Sequence, residues 1–470
     1  MHRFLLSLCL PAVTCCFVGA QTTESVPVIT LDQCIEIALS ENPTVRVADM
    51  DVQRTNYARK ETLGTLLPSI SFSASYNRML AKQVAYMNMD DFSFGGNLPE
   101  DEGTGEDNVA RSSDRSADKG IKMGLDNSYQ TGFSASVPLI APQLWQALKL
   151  SDAQIMKSVE QARVSRQELV NQVKCAYYAL LLAQDSRKVV QQSYDMAALT
   201  HSIYSDQFDA GAASEYDVLR TSVAMKNIEP EIMQADISIS RAQLQLKILM
   251  GLQEDFSFSV TDSLPGYNSY VDTRLMEYAS ISNVLADNPS LRMMDIDTEI
   301  LKRNVKVQKA SLYPTLALTG SYSWTSSNNG TPFKDLRWNP YSIIGVTLSF
   351  PLFEGGQRYN RIRQAQIQVD QMQWQRENLE RSVMMQIELA MENLTLNRDI
   401  ISSSRQSVMQ AEKAHDIMDR SFKVGAASYL DLRDSELALT RARLAYNQAI
   451  YNYLVADSEL ELLLGTYHIN

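Results

Sequence analysis

The sequence predicts an α+β membrane protein in which long α-helical coiled-coil hairpins are joined to four transmembrane β-strands. Three observations carry that expectation. An export leader is followed by no apolar run long enough for a membrane helix, four short segments alternate apolar with hydroxyl side chains, and the stretches from Pro142 to Gly211 and from Gly356 to Gly425 hold no Gly or Pro between their ends.

The leader is read from its charge and its small residues. His2 and Arg3 precede an apolar run from Phe4 to Phe17, and Val18-Gly19-Ala20 offers cleavage before Gln21, so residues 1–20 are expected to be a signal peptide. Three of the five cysteines (Cys9, Cys15 and Cys16) lie in it. The mature chain keeps Cys34 and Cys175, expected as small buried apolar groups rather than a bridge. Beyond the leader nothing approaches the roughly 20 consecutive apolar residues of a membrane helix. Any span must then be a closed β-barrel, because backbone groups in hydrocarbon need internal partners. A net charge of −12 argues against a nucleic-acid partner, which requires clustered Lys and Arg. No phosphate loop, nucleophile elbow or metal-ligand pair at catalytic spacing occurs, so no enzyme activity, cofactor or metal is expected.

The chain repeats itself. Glu41-Asn42-Pro43-Thr44-Val45-Arg46 recurs as Asp287-Asn288-Pro289-Ser290-Leu291-Arg292, and Leu67-Pro68 with Ser75-Tyr76 recurs as Tyr313-Pro314 with Ser321-Tyr322. Further on, Phe208-Asp209-Ala210-Gly211-Ala212-Ala213-Ser214 matches Phe422-Lys423-Val424-Gly425-Ala426-Ala427-Ser428, and Leu249-Met250-Gly251 matches Leu463-Leu464-Gly465. The expected organisation is a first repeat over 21–252 (β-hairpin 67–140, helical hairpin 143–252), a polar connector over 253–275, a second repeat over 276–466 (β-hairpin 313–353, helical hairpin 357–466) and a tail over 467–470. Neither half need be a separate domain.

The strands show the clearest periodicity. Ile70, Phe72, Ala74 and Tyr76 alternate with serines, Phe133, Ala135 and Val137 form a second set, Leu316, Leu318, Tyr322 and Trp324 a third, and Ile344, Val346, Leu348 and Phe350 a fourth. Apolar-out and polar-in alternation with aromatics toward strand ends is the pattern of a barrel in lipid. A half-buried soluble sheet is the alternative, and helices this long leave it little to pack against. Four strands cannot close a barrel, for which about eight is the smallest transmembrane form, so neighbouring subunits must supply the rest.

The long helices carry seams stepping by four and three. Ala390, Leu394, Asn397, Ile401, Ser404, Val408, Ala411, His415, Met418 and Phe422 form one, and Val159 through Phe208 form the other, a period that supercoils helices left-handedly. Pro138 and Pro351 are expected to turn the chain out of the sheet, since proline lacks the N–H for another ladder bond and suits a first helical turn. Pro230 is expected to kink the first return helix. The stretch from Lys82 to Asn127, rich in Gly, Ser and acidic residues, is expected to be an acidic outer loop.

These residues together resemble the TolC-type outer-membrane efflux family across essentially the whole mature chain. The match rests on the twofold repeat, the two Asn-Pro helix starts, the turn Phe350-Pro351-Leu352-Phe353-Glu354-Gly355-Gly356 and the Gly-Ala-Ala-Ser tips. The resemblance implies a homotrimer with a twelve-stranded barrel in the outer membrane of a Gram-negative bacterium and a helical periplasmic tunnel. It implies a periplasmic adaptor docking at the tunnel end and an inner-membrane transporter that delivers the substrate, for drug efflux or type I secretion. The adaptor would meet Ala210, Gly211, Ala212, Ala213 and Ser214 on one tip and Val424, Gly425, Ala426, Ala427 and Ser428 on the other. Capping alone explains Gly211, Gly425, Ser214 and Ser428, so docking is an added role.

Asp431 and Asp434, at i and i+3, share one helix face, and the resemblance matches them to aspartates that narrow the periplasmic entrance and prefer cations. Leu430 and Leu432 are expected to supply the packed faces beside them. Phe422 and Ala427 stand where relatives carry a tyrosine and an arginine that bond the neighbouring hairpin, at the position matched by Asp217. Closure by packing more than by salt bridges is therefore expected. His201 and His415, at equivalent seam positions, are expected to pack rather than bind metal. A periplasmic coiled-coil adaptor or structural protein is the alternative function, but it would not need the four alternating strands.

Overall fold

A computed structural model describes residues 27–85, 121–253, 255–271 and 285–466. The first repeat runs α1 (Leu31–Glu41), α2 (Pro43–Gly64), β1 (Ser69–Arg78), β2 (Gln83–Ala85), β3 (Ile121–Met123), β4 (Asn127–Ile140), α3 (Pro142–Asp209), α4 (Glu215–Lys226) and α5 (Glu229–Met250). The second runs α6 (Pro289–Ala310), β5 (Thr315–Asn328), β6 (Asn339–Ser349), α7 (Gln357–Lys423) and α8 (Tyr429–Leu464). Residues 1–26, and with them the expected signal peptide, lie outside the described residues, as does the 467–470 tail. Two compact units form, and each draws on both repeats. One holds the β-strands with the described residues of 50–160 and 293–378, and the other holds the described residues of 27–49, 161–292 and 379–466.

In the first unit the sheet order is β1-β4-β5-β6, antiparallel throughout. The register places Phe72 opposite Phe133, Phe133 opposite Tyr322, and Leu318 opposite Val346, so the four apolar sets share one face. The other face carries hydroxyls, with Ser71 and Ser134 bonded across strands at 2.8 Å. β1 and β6 are the sheet's edges, and β1 is exposed along its whole length. Of the acidic stretch, 86–120 lies outside the described residues. Its stem is structured, with β2 paired to β3 and Lys82 bonded to Asp126 at 3.0 Å.

The expectation for Pro138 needs correcting. β4 continues through it to Ile140 with a register shift, Pro138 lying opposite Ala317. β1 pairs only as far as Ser136, so beyond that point one side of β4 is open and a residue without an N–H is tolerated at the irregularity. The helix begins instead at Pro142, its first residue. Pro351 lies beyond the end of its strand. β6 ends at Ser349, Gly355 and Gly356 take left-handed φ of 57° and 77°, and Arg358 clamps the turn with a fork onto Glu354 at 2.7 and 2.8 Å. Pro230 breaks the return helix into α4 and α5 and sits in the first turn of the second piece.

The second unit holds the core, built on Cys34 and Ala38 of α1, Val173, Leu180 and Leu181 of α3, Leu246 and Met250 of α5, and Ile450, Leu454 and Leu460 of α8. Cys34 is fully buried, its thiol pushed up to about 12 by desolvation, whereas Cys175 is only half-buried and donates weakly to Asn171. The connector packs onto this core as well. Leu264 and Val271 are buried, Tyr177 donates to Asp262 at 2.6 Å, and the Leu264 N–H donates to Asp185 at 2.8 Å.

The repeat motifs meet at two equivalent junctions. Asn42 Nδ2 donates to Leu249 O and Asn288 Nδ2 to Leu463 O, both at 2.7 Å. Gly251 and Gly465, with φ of 70° and 68°, end the return helices that the asparagines bind. A Cβ on Gly251 would stand 2.8 Å from Glu41 O, and one on Gly465 would collide with Asp287 O. Gly465→Ala should therefore cost the left-handed strain of about 1–2 kcal/mol and a backbone clash as well. Gly425→Ala, with the same φ but open space around it, should cost the strain alone. Heating purified protein before electrophoresis reads the difference. Equal loss in both variants would show that the Asp287 contact is not what requires glycine.

Candidate functional site: the hairpin tips

Both tips are built by one device. Gly211 N donates to Phe208 O at 2.8 Å and Ala212 N to Gln207 O at 2.7 Å, and Gly425 N donates to Phe422 O at 2.9 Å and Ala426 N to Ser421 O at 2.8 Å. This is the paired closure that a left-handed glycine allows after a helix, with φ of 76° and 75° here. Ala210, Gly211, Ala212, Ser214, Val424, Gly425, Ala426 and Ser428 are exposed, and Ala213 and Ala427 are half-buried.

The return helices start on capped serines. Ser214 Oγ accepts from Asp217 N at 3.2 Å and donates to Asp217 Oδ2 at 2.6 Å. Ser428 and Asp431 form a full capping box, the carboxylate accepting from Ser428 N at 3.1 Å and Ser428 Oγ at 2.7 Å. These bonds hold both carboxyls below the usual carboxylate range, the Ser214 and Ser428 hydroxyls being the largest cause and Arg220 adding to the effect at Asp217. Asp431 thus has a complete local role within one subunit. Asp434 is exposed and has no ion pair or side-chain hydrogen bond among the described residues. Leu432 packs as expected, but Leu430 does not and is 60% exposed, because residues at i and i+2 of a helix face different directions. The inward neighbour is Tyr429, which is buried.

The two hairpins touch through aromatic rings. Tyr204 lies 6.1 Å from Phe422 and 5.8 Å, edge-on, from Tyr429. Arg220 sits 4.3 Å over the Tyr429 ring while its guanidinium pairs with Asp217 at 3.2 Å. Phe422 therefore packs across hairpins through its ring, and Arg220 adds a cation across the same gap. Tyr204 belongs to the seam that ends at Phe208, but no sequence pattern singled out Arg220 and Tyr429, although the repeat offset that aligns Gly211 with Gly425 also aligns Arg220 with Asp434 and so marks an inverted charge. His201 and His415 are satisfied seam residues, with Nδ1 3.1 Å from Thr221 Oγ1 and 3.3 Å from Ser435 Oγ. Among the described residues no cluster of three metal-binding side chains occurs.

The comparisons decide the family. A family model described as outer membrane efflux protein matches residues 34–252 and 280–466, two segments that flank the connector. The chain belongs to the outer membrane efflux protein family. It is an outer-membrane efflux channel subunit with its helical tunnel in the periplasm. Members of this family are channel proteins, not enzymes. The chain is 23% identical to the outer membrane protein TolC of Vibrio cholerae over 71% of its own length and 76% of that protein's. It is 24% identical to the alkaline protease secretion protein AprF of Pseudomonas aeruginosa, covering 72% of itself and 70% of the relative. Its fold matches the CmeC outer membrane channel of Campylobacter jejuni with a TM-score of 0.65 at 17% identity, over 98% and 94% of the two chains. The outer-membrane channel OprN matches with a TM-score of 0.67 at 18% identity, over 93% and 89%.

Near the tip of this efflux subunit, Glu436 is buried in α8, and burial pushes its carboxyl up to about 7, with Asp419 adding to the shift and Arg433 opposing it. The folded state then holds a proton that the unfolded chain releases near 4.5. Stability is full below that value and falls as pH rises from there to about 7. Melting followed at mildly acidic and at alkaline pH should show lower stability in alkali, and Glu436→Gln should flatten the difference. An unchanged pH dependence in the variant would remove Glu436 as its source.

Proposed function

We propose that this subunit assembles as a homotrimer that forms a passive exit duct, with the hairpin tips as its periplasmic entrance and adaptor-docking surface. The observation that carries the reading is the sheet with two open edges. β1 and β6 leave a row of backbone groups without partners, which hydrocarbon does not tolerate and a neighbouring copy would pair. Three copies of this sheet make a twelve-stranded barrel with the apolar face toward lipid. An adaptor or structural coiled-coil protein would have no use for that face.

The tips support the entrance role by their small, exposed residues, which leave room for another protein's helix ends. Ala426→Trp avoids the strain that Gly425→Trp would add at a left-handed backbone, and it should leave trimers intact while abolishing transport. Normal transport by the variant would refute docking at this surface. Delivery is ascribed to an inner-membrane transporter through the adaptor. Relatives matched at similar identity are named for alkaline protease secretion and for cobalt, zinc and cadmium resistance, which supports a duct that does not itself select the cargo.

Asp434 is proposed as the carboxylate ring of the entrance, with Asp431 stacked beside it. Asp434 is free of local partners, whereas Asp431 also caps its helix. In a planar bilayer the channel should prefer cations and be blocked by multivalent ones from the periplasmic side. Asp434→Asn should remove most of that preference without loosening the fold, and Asp431→Asn should weaken both selectivity and the tip. Unchanged selectivity and block in the double variant would leave the two aspartates as helix-start residues only.

A further inference from the structure

One groove beside the sheet carries charge that the efflux reading does not use. The connectors between α6 and β5 and between β6 and α7 expose Leu312, Tyr313, Leu352 and Phe353, with Phe353 86% exposed, and Tyr359 follows in the first turn of α7 at 72%. Large apolar and aromatic side chains bared where strands give way to helices mark the level at which hydrocarbon meets headgroups. Immediately beyond them the chemistry changes. A groove of about 490 Å³ between α6 and α7 is lined by Lys302, Lys306, Lys309 and Arg363 over an apolar floor of Val305 and Val369.

Around the same helices other cations have partners. Lys157 pairs with Asp297 at 2.7 Å, Arg376 with Asp295 at 2.6 Å and Arg358 with Glu354 at 2.7 Å. Among the described residues Lys302, Lys306 and Lys309 have no carboxylate partner, and Arg363 makes only a long bond of 3.5 Å to Gln366 Oε1. The groove's two acids do not neutralise it. Glu299 and Asp370 stand further along their helices from the strands than Lys306, Lys309 and Arg363 do, and Glu299 is bonded to Arg303 at 2.8 Å. The end nearest the sheet is therefore positive, in a chain whose net charge is −12.

We propose that this groove binds the phosphate headgroup of an anionic phospholipid from the periplasmic leaflet of the outer membrane. Cations converging from two helices match a phosphodiester, and basic pockets between helices at a membrane surface are suited to such headgroups. On the sheet side of the cations the exposed rings of Tyr313, Phe353 and Tyr359 give the first acyl carbons an apolar path, which a free phosphate would not use. The inference rests on the outer-membrane location of the chain and is independent of what passes through the tunnel.

The test uses the full-length protein, delipidated and equilibrated with vesicles of phosphatidylethanolamine containing a minor share of phosphatidylglycerol, then repurified for lipid analysis. The wild type should retain phosphatidylglycerol above its share in the vesicles. Lys302→Gln, Lys306→Gln, Lys309→Gln and Arg363→Gln combined should abolish the enrichment, at roughly fivefold weaker retention per cation removed, while Lys413→Gln on the distant part of α7 should not. If the combined variant fails to assemble, the pair Lys309→Arg and Lys309→Gln decides, the first keeping the lipid and the second retaining it roughly fivefold less. Equal retention by wild type and charge-free variants would overturn the proposal. So would complete displacement by inorganic phosphate, which would make this a free-anion site, or a loss of trimer stability with lipid unchanged, which would show that the cations face a neighbouring subunit.

Discussion

The contact between an Asn-Pro helix start and a left-handed glycine is the joint on which both repeats turn. Asn42 and Asn288 are buried, and each spends its amide on a carbonyl at the end of a return helix, where intrahelical partners have run out. Each also caps its own helix, Asn42 Oδ1 accepting from Thr44 N at 2.7 Å and Asn288 Oδ1 from Leu291 N at 3.0 Å. One side chain thus serves two helix ends at once. The glycine that closes the return helix must lack a Cβ because the backbone just before the Asn-Pro start of its own repeat passes directly over it. The pairing of these motifs explains why they recur together at one register.

The same economy of backbone groups runs through the molecule. All four return points, at Gly211, Gly251, Gly425 and Gly465, close with an N–H reaching back five residues and another reaching back three. At the tips this produces two short, small-residue turns whose exposed surface consists largely of alanine, glycine and serine. At the inner junctions the same turn lies against the Asn-Pro helix start, whose backbone a Cβ on either glycine would meet. One local conformation therefore builds both the exposed tips and the structural joints, and its surroundings decide which.

The repeats have diverged where function differs. Ser214 and Ser428 cap their helices alike, and Asp217 and Asp431 answer them alike. One turn later the first repeat carries Arg220, folded over Tyr429 and tied to Asp217, whereas the second carries Asp434 with no partner among the described residues. A cation is thereby spent on holding two hairpins together, and an anion is left exposed. Between α6 and α7 the same logic recurs with the sign reversed, in lysines without a carboxylate partner among the described residues.

Sequence alone determined the repeat, the four alternating strands, the two unbroken helices and the positions of the tips. All of these follow from periodicity and from the conformational limits of Gly and Pro, which act locally. The seam from Leu394 to Met418 is visible even in the burial of single positions along α7. Tertiary structure decided what local rules leave open. Pro138 stays in its strand because the neighbouring strand has already ended, a fact of register and not of residue type. Leu430 turns outward because helix geometry separates i from i+2 by more than a half-turn of the surface. Arg220 finds a ring on the other hairpin, and Glu436 loses its water to the packing around it, because residues far apart in sequence converge there.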